Sequence, residues 1–123
     1  MTAKGVLALD FSGFGLMTPP GDYLGTMMRD AFVYMLASRP LGTIYIGVTG
    51  DLVRRCAEHR AGTIDGFTNR YEIKRLVWFE STPNISAAIQ REKTLKHWPR
   101  TWKVALIEKN NPHWDDLFHS IAR

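Results

Sequence analysis

The chain has 123 residues, of which 45% are hydrophobic and 23% are charged, and these values are ordinary for one globular domain with a packed core. Its 16 Lys and Arg residues against 12 Asp and Glu residues give a net charge of +4, which is compatible with a polyanionic partner such as nucleic acid. The single cysteine excludes an internal disulfide and a thiol-rich metal site, and no apolar run approaches the roughly 20 residues of a membrane span, so we expect a cytoplasmic protein without a membrane partner.

Residues 1–30 are predicted to be an extension of the domain. Residues 1–29 contain five of the ten glycines and the pair Pro19-Pro20, and they show no sustained hydrophobic period. We expect this segment to be poorly ordered, or to precede a true start at Met27 or Met28. The compact domain then spans residues 31–123.

The first predicted element is a β-hairpin. Val33 to Ser38 is an apolar run of strand-forming residues, and Thr43 to Val48 is a second run rich in β-branched and aromatic side chains. Residues 39–42, with the sequence Arg-Pro-Leu-Gly, have the composition of a turn.

The register of this hairpin decides which side chains share a face. If Ser38 pairs with Thr43, Tyr34 lies opposite Gly47 on the neighbouring strand. Because side chains alternate along a strand, Tyr34, Tyr45 and Gly47 then lie on the same face of the sheet. A slip of one residue would separate the two tyrosines.

A helix follows the hairpin. Asp51 is a suitable N-cap, and the helix is expected to run to about Ala61, with Gly62 just after its end. Arg55 and His59 are spaced i, i+4 beside the inward face of this helix.

The remaining elements complete an α+β pattern. Residues 62–73 are predicted to be a polar loop, residues 76–80 a third strand, and residues 85–96 and 100–109 two further helices. Residues 114–118 are expected to form a last short turn. This order predicts a small sheet of three strands with helices packed around it.

Glu92 is the most informative polar position. The residues that cluster on one face of its helix are Ile85, Ala88, Ile89 and Leu95. Glu92 projects into the middle of that apolar stripe, where an ionised carboxylate is costly unless it is paired. It is either a salt-bridge partner of an Arg or Lys or a metal ligand at the edge of a cleft, and helix geometry alone favours the salt bridge.

The first helix carries a basic face. Arg54, Arg55, His59 and Arg60 lie within two turns, and the planar fork of an arginine suits a phosphate. For Arg54 and Arg60 a solvated helix surface is the better interpretation. Arg55 and His59 border the buried stripe and are expected to point towards the sheet.

The tyrosines and tryptophans each have two interpretations. Tyr34 and Tyr45 are either ordinary strand residues or part of a site, in which Gly47 would leave space for a substrate phosphate. Trp98 and Trp102 either close the core or belong to an aromatic and basic surface for nucleic acid. We favour the core for Trp102. The basic residues of that surface are Lys93, Lys96, Arg100 and Lys103.

Taken in order, these residues resemble the GIY-YIG nuclease family. The matching positions are Phe32-Val33-Tyr34, Tyr45-Ile46-Gly47, Asp51 to Arg55, His59, Glu92 and Asn111. Phe32 replaces the usual glycine of the first motif, and Asn110 beside Asn111 makes the last match less secure. The short stand-alone bacterial members, which are similar to the N-terminal part of an excision-repair nuclease, also resemble this chain at residues 65–68, 96–98 and 111–114. The likeness covers roughly residues 32–118.

The resemblance implies a three-stranded antiparallel sheet flanked by helices, and phosphodiester hydrolysis with Mg²⁺ or Mn²⁺. Glu92 would hold the ion and Arg55 would grip the scissile phosphate. Tyr45 would orient or deprotonate the attacking water, although a phenol with an ordinary pKa of about 10 needs a nearby cation to do so at neutral pH. Tyr34 and His59 would assist by hydrogen bonding or proton relay.

The implied partner is nucleic acid, with DNA as the expected substrate, in repair or in the processing of branched or single-stranded forms. Asn111 would brace the site without touching substrate, and a protein partner could supply targeting. The expected nucleic-acid contacts are Gly47, Arg54, Arg70, Lys93 and Lys96. Two alternatives stay open: a module of the same fold that binds nucleic acid without cutting it, and an interaction domain unrelated to nucleic acid.

Overall fold

The computed structural model describes residues 30–64 and 66–122. The predicted extension therefore lies outside the described residues, except for Asp30. None of the helices in the described ranges combines the length and hydropathy that a bilayer crossing requires.

Three antiparallel strands form the predicted sheet. They are β1 (Ala31–Ala37), β2 (Ile44–Thr49) and β3 (Arg75–Thr82), and β1 lies in the centre in the order β2-β1-β3. All of β1 is buried except Phe32, which is half-buried, because the sheet is covered on both faces. The expected α+β fold is confirmed, and β3 is longer at both ends than predicted.

Within the described residues, five helices surround the sheet: α1 (Leu52–Ala61), α2 (Phe67–Arg70), α3 (Ile85–His97), α4 (Arg100–Asn110) and α5 (Phe118–Ile121). The side chain of Asp51 caps α1 by accepting from the amide of Arg54 at 3.1 Å, and Gly62 ends the helix with φ of 74°. Asn84 caps α3 in the same way. The short helix α2 lies in the segment for which the sequence predicts only a loop.

The predicted hairpin register is confirmed. Tyr34 lies opposite Gly47, and Leu36 lies opposite Tyr45. The amide of Ser38 donates to the carbonyl of Thr43 at 3.2 Å, as the pairing requires. Tyr34 and Tyr45 therefore project from the same face of the sheet.

Two hydrophobic cores cover the two faces. The first core joins alternate residues of the strands to α3 and α4, and it includes Val33, Met35, Ile46, Val48, Val77, Ala88, Leu95 and Ile107. The second core joins the opposite face to α1 and the C-terminal segment, and it includes Tyr34, Leu36, Tyr45, Leu52, Cys56, Ile73 and Leu76. The strands thus form the middle of three layers.

The C-terminal segment is fastened over the second core by Asp116. Its carboxylate pairs with Arg60 and accepts from the backbone amides of Leu76 and Phe118. Burial raises the pKa of Asp116, but these hydrogen bonds outweigh it and hold the pKa below the ordinary value. The guanidinium of Arg60 also lies 4.7 Å from the centre of the Phe118 ring. Arg60 is therefore a structural residue rather than a solvated one.

The expectation that Trp102 closes the core is wrong. Its side chain lies in the first turn of α4 and is 56% exposed. The first core is closed instead by Trp114, which is 1% exposed, and by the half-buried Trp98. Trp114 fits this position because its indole nitrogen donates to Glu108 at 2.7 Å, which satisfies its polar group.

Candidate active site

Three aromatic side chains from three elements meet on the second face of the sheet. Tyr34 comes from β1, Tyr45 from β2 and His59 from α1. The tyrosine ring centres are 6.3 Å apart, and the His59 ring lies 6.0 Å from Tyr34 and 5.5 Å from Tyr45, with its edge towards each. All three side chains are nearly inaccessible to solvent, so they form a preorganised group.

His59 links this group to α2. One ring nitrogen, Nε2, lies 3.2 Å from the hydroxyl of Tyr34, and Nδ1 lies 3.0 Å from the hydroxyl of Thr68. Burial lowers the pKa of His59 to about 4, and the positive charge of Arg55 contributes in the same direction. The imidazole is therefore neutral at neutral pH, and it donates to one hydroxyl while it accepts from the other.

Thr68 lies within residues 65–68, which match the stand-alone family members, but the sequence gives it no role in the site. It is 4% exposed, and its hydroxyl fixes the orientation of the His59 ring. The backbone of α2 places it there, since the amide of Ile73 donates to the Thr68 carbonyl at 2.8 Å and closes the turn. A polar residue beside Phe67 in a loop gives no sequence signal for this role, because the partner lies nine positions earlier.

The buried His59 should make folding pH-dependent. The unfolded histidine, with a pKa near 6.5, binds a proton between pH 6.5 and 4, whereas the folded one does not, so stability falls as the pH falls through this window. Between pH 7 and pH 5 we expect a loss of about 2 kcal/mol in the free energy of unfolding from this group. Urea unfolding at the two pH values measures it.

The control for this pH dependence is a second histidine. His59→Gln should remove most of the difference between pH 7 and pH 5, and His113→Gln, at an exposed position, should retain it. Equal pH dependence in both variants would show that His59 does not change its proton affinity on folding.

Gly47 has a different role from the one expected. A Cβ atom at this position would lie 2.5 Å from the terminal carbon and the hydroxyl of the Tyr34 ring. The space above Gly47 is therefore filled by its cross-strand partner rather than left open for a phosphate. Glycine is required here so that the phenol of Tyr34 can cross β2 towards His59.

The two adjacent arginines of α1 differ in burial. The side chain of Arg55 is only 11% exposed, lies 3.8 Å from the carboxylate of Glu58, and is near enough to His59 to lower its pKa. The side chain of Arg54 is 64% exposed and lies 3.9 Å from the carboxylate of Asp51. Arg55 thus adds a positive charge beside the aromatic group, and Arg54 remains on the surface as expected.

Glu92 comes from the opposite layer. Helix α3 packs mainly against β2 and β1 through the first core, and Glu92 is 2% exposed within the apolar stripe of that helix. Its carboxylate contacts the ammonium of Lys96 one turn later. The salt bridge that helix geometry favours for Glu92 is therefore present, and Lys96, expected to bind nucleic acid, directs its charge towards this carboxylate.

Glu92 offers a divalent cation a single buried carboxylate. Residues 30–64 and 66–122 hold no cluster of three His, Cys, Asp or Glu side chains suited to a metal ion, so Glu92 would supply one carboxylate and water would supply the other oxygens. A buried carboxylate is stable as an anion only beside a cation. Lys96 meets that need here, and Mg²⁺ would meet it in place of the ammonium.

Of the other expected site residues, Asn111 is buried, whereas Arg70 and Lys93 lie on the surface. The side-chain amide of Asn111 donates to the carbonyls of Val77 and Asp115 and accepts from the Asp115 amide, so it braces the end of α4 against β3. Arg70 and Lys93 are exposed.

Cys56 is buried, and burial raises the pKa of its thiol to about 12, which makes it unreactive.

Comparisons with known proteins identify a family. Residues 30–105 match the family model for the GIY-YIG catalytic domain. A UPF0213 protein of Natronomonas pharaonis is 37% identical over 81 residues, which are 66% of this chain and 94% of that protein. One from Cupriavidus pinatubonensis is 31% identical over 66% of this chain and 89% of its own. The solution structure of a UPF0213 protein from Bacillus halodurans is 28% identical and covers 71% of this chain and 92% of its own, with a TM-score of 0.45.

Proposed function

Because this chain belongs to the GIY-YIG family of catalytic domains, which implies a nuclease-type activity on nucleic acid, we propose that it is a divalent-metal-dependent endonuclease acting on DNA. The observation that carries the proposal is the buried group of Tyr34, Tyr45 and His59 beside Arg55, built from three separate elements. Burying three polar aromatic side chains and a guanidinium together has a cost in desolvation, and a phosphate-binding site is a reason to retain it.

The free edge of β2 is the proposed place for the scissile phosphate. β2 is an edge strand, with Tyr45 on one face and helix α3, which carries Glu92, packed against the other. A phosphate at this edge could be approached by Tyr45 and Arg55 from one side and by Glu92 from the other. Such an arrangement joins a carboxylate and a guanidinium that lie 37 positions apart in the sequence.

Each side chain has a distinct role in the proposed reaction. Arg55 binds the phosphate oxygens through its guanidinium and neutralises charge that develops on them. Tyr45 orients the attacking water. Glu92 holds the divalent ion, which supplies charge neutralisation at the leaving oxygen when bound. The low exposure of Arg55 and Tyr45 excludes bulk water, and this strengthens their electrostatic contact with the phosphate.

His59 is better suited to holding the Tyr34 phenol in position than to relaying a proton. With a pKa of about 4, its neutral imidazole is a weak base at neutral pH. Its contact with the Tyr34 hydroxyl and its contact with Thr68 instead hold that phenol in one orientation. We therefore assign hydrogen bonding to His59, in preference to proton relay.

Helix α2 is the proposed contact for the rest of the substrate on this side. Thr68 faces inward to His59, whereas Phe67, Arg70 and Tyr71 are exposed. The rings of Phe67 and Tyr71 lie 5.0 Å apart, and the guanidinium of Arg70 lies 5.9 Å from the Tyr71 ring. An exposed aromatic pair with a cation suits a nucleic-acid backbone and its bases.

The direct test is cleavage of labelled DNA in duplex, branched and single-stranded forms, with an RNA strand as a further arm. We expect nicking or cutting with Mg²⁺ or Mn²⁺ and none with EDTA. Cutting that persists in EDTA would exclude the metal-dependent mechanism. Salt-dependent binding without cutting of any substrate would indicate instead a binding module of the same fold.

A further inference from the structure

A second aromatic and basic surface lies at the start of α4, outside the group of Tyr34, Tyr45 and His59. Trp102 is 56% exposed there, the second largest exposure among the large hydrophobic side chains of the described residues. A tryptophan exposed to this extent leaves most of a large apolar ring in water, which is unfavourable unless the ring has a partner.

The Trp102 ring packs against the ring of Trp98. The Trp98 ring lies 5.6 Å away at an angle of 80°, in an edge-to-face contact. Trp98 in turn packs against the first core, and the guanidinium of Arg91 lies 5.5 Å from the centre of its ring. Trp102 is thus anchored through one neighbour and still presents its indole ring to solvent.

Two cationic residues, Arg100 and Lys103, flank Trp102 in the first turn of α4. Arg100 donates to the backbone carbonyls of Leu41 and Gly42 at 2.7 and 2.9 Å, which fixes its position without cancelling its charge. Within the described residues neither Arg100 nor Lys103 pairs with a carboxylate. Burial lowers the pKa of Lys103, and the positive charges of Arg100 and Lys96 lower it further.

The surface adjoins the proposed metal-binding carboxylate. Lys96 contacts Glu92, and the helix α3 that carries both residues ends at Trp98, whose ring contacts that of Trp102. Helix α4 begins at this surface without a side-chain cap, so the positive end of its dipole adds to the field. A strand with its phosphate at Glu92 would continue towards Trp102.

We propose that Trp102, with Arg100 and Lys103, is a stacking platform for an unpaired base of the nucleic-acid substrate next to the cleavage site. The proposal rests on the nuclease function above and makes it more specific. The positive charge favours a polyanion as the partner of this surface, and the exposed ring requires a flat apolar group. A base in a duplex is already stacked, whereas an unpaired base has a free face for the indole ring.

The test measures binding in EDTA, where no cutting occurs, with a fluorescein-labelled single strand of about 16 nucleotides and the matching duplex. Trp102→Ala should weaken binding of the single strand by about 10- to 100-fold, with a smaller effect on the duplex. Trp102→Phe should retain most of the affinity. Val53→Ala, at a 40% exposed apolar position on α1, is the matched control and should change neither.

Tryptophan fluorescence gives an independent readout. The single strand should quench the emission of the native protein. Trp102→Phe should lose much of that quenching because Trp78 and Trp114 are buried, and the quenching that remains should come from the half-buried Trp98. If the native protein binds and cuts DNA but Trp102→Ala keeps full affinity for the single strand, the platform is overturned and the nuclease function stands. The platform is also overturned if Trp102→Ala weakens binding of the duplex and of the single strand equally, or if it weakens only self-association of the protein. Native protein that binds neither strand form would remove both proposals.

Discussion

Replacement of Glu92 by Gln is expected to abolish metal-dependent cutting, with a loss in kcat of about 1,000-fold, the upper range for removal of one preorganised electrostatic group. Glutamine keeps the shape of the side chain but not the negative charge that holds a hard cation. The measurement is single-turnover cleavage in Mg²⁺, with Mn²⁺ binding followed by calorimetry as a readout that does not depend on cutting. Unchanged Mn²⁺ affinity in this variant would remove Glu92 as the metal ligand.

Because Glu92 pairs with Lys96, the Glu92→Gln experiment needs a control for loss of stability. Removing one partner of a buried pair leaves the other charge uncompensated, which costs up to about 3–5 kcal/mol of stability. The ammonium nitrogen of Lys96 is buried, but its side chain is 23% exposed, so a change of rotamer that brings the ammonium to water should make the actual loss smaller. The double variant Glu92→Gln with Lys96→Met removes both charges, and it should unfold close to the native midpoint while still failing to bind Mn²⁺ or to cut.

Lys96→Met alone separates a structural ion pair from a metal site. It leaves the buried carboxylate of Glu92 without its ammonium partner, so a divalent ion should bind more tightly than in the native protein. If Glu92 were only a structural partner of Lys96, this variant would lose stability and gain no Mn²⁺ affinity.

The sequence predicts the sheet and its register well, because both depend on local chemistry. The turn residues at 39–42 and the strand-forming runs on either side lead to the pairing of Tyr34 with Gly47. Alternation along the strands then places Tyr34 and Tyr45 on one face. The cap at Asp51 and the left-handed Gly62 bound α1 for the same local reason.

The partners of the site residues could not be predicted in this way. Thr68 holds His59 from a four-residue helix that has no amphipathic period, so the match of residues 65–68 to the stand-alone family members does not indicate this contact. Indole rings are usually buried, which favours Trp102 as a core residue, but Trp114 and Trp98 fill that space instead. Which of several tryptophans a core accepts depends on three-dimensional packing, which hydrophobicity alone does not specify.

At Gly47, too, the sequence predicts the backbone pairing but not the packing of side chains. Its position opposite Tyr34 follows from the register, but the direction of the Tyr34 ring does not. The ring crosses above Gly47 because His59, whose ring is held by Thr68, offers its hydroxyl a buried partner on that side. A glycine expected to admit substrate therefore admits a neighbouring side chain.

Replacement of Arg55 by Gln is expected to lower kcat/KM for DNA cleavage by about 100- to 1,000-fold, since it removes a charged fork from the proposed phosphate site. Arg55→Lys should recover only part of this loss, because an ammonium restores the charge but not the paired hydrogen bonds. Arg54→Gln is the matched control, at a side chain that is 64% exposed and one position earlier. As an expected nucleic-acid contact, Arg54 should affect kcat/KM much less than Arg55 does, and its replacement should leave kcat unchanged. Equal losses at the two positions would mean that the arginines act only through the general field of α1.

The Arg55→Gln variant should also change the pKa of His59, which can be measured without substrate. The positive charge of Arg55 contributes to the low pKa of His59, so Arg55→Gln should raise that pKa above about 4, whereas Arg54→Gln should not. Titration of the His59 ring by NMR measures the shift. Because burial is the larger cause, the histidine should remain neutral at pH 7 in both variants, and the loss of cutting in Arg55→Gln then reflects the missing guanidinium rather than a newly charged imidazole.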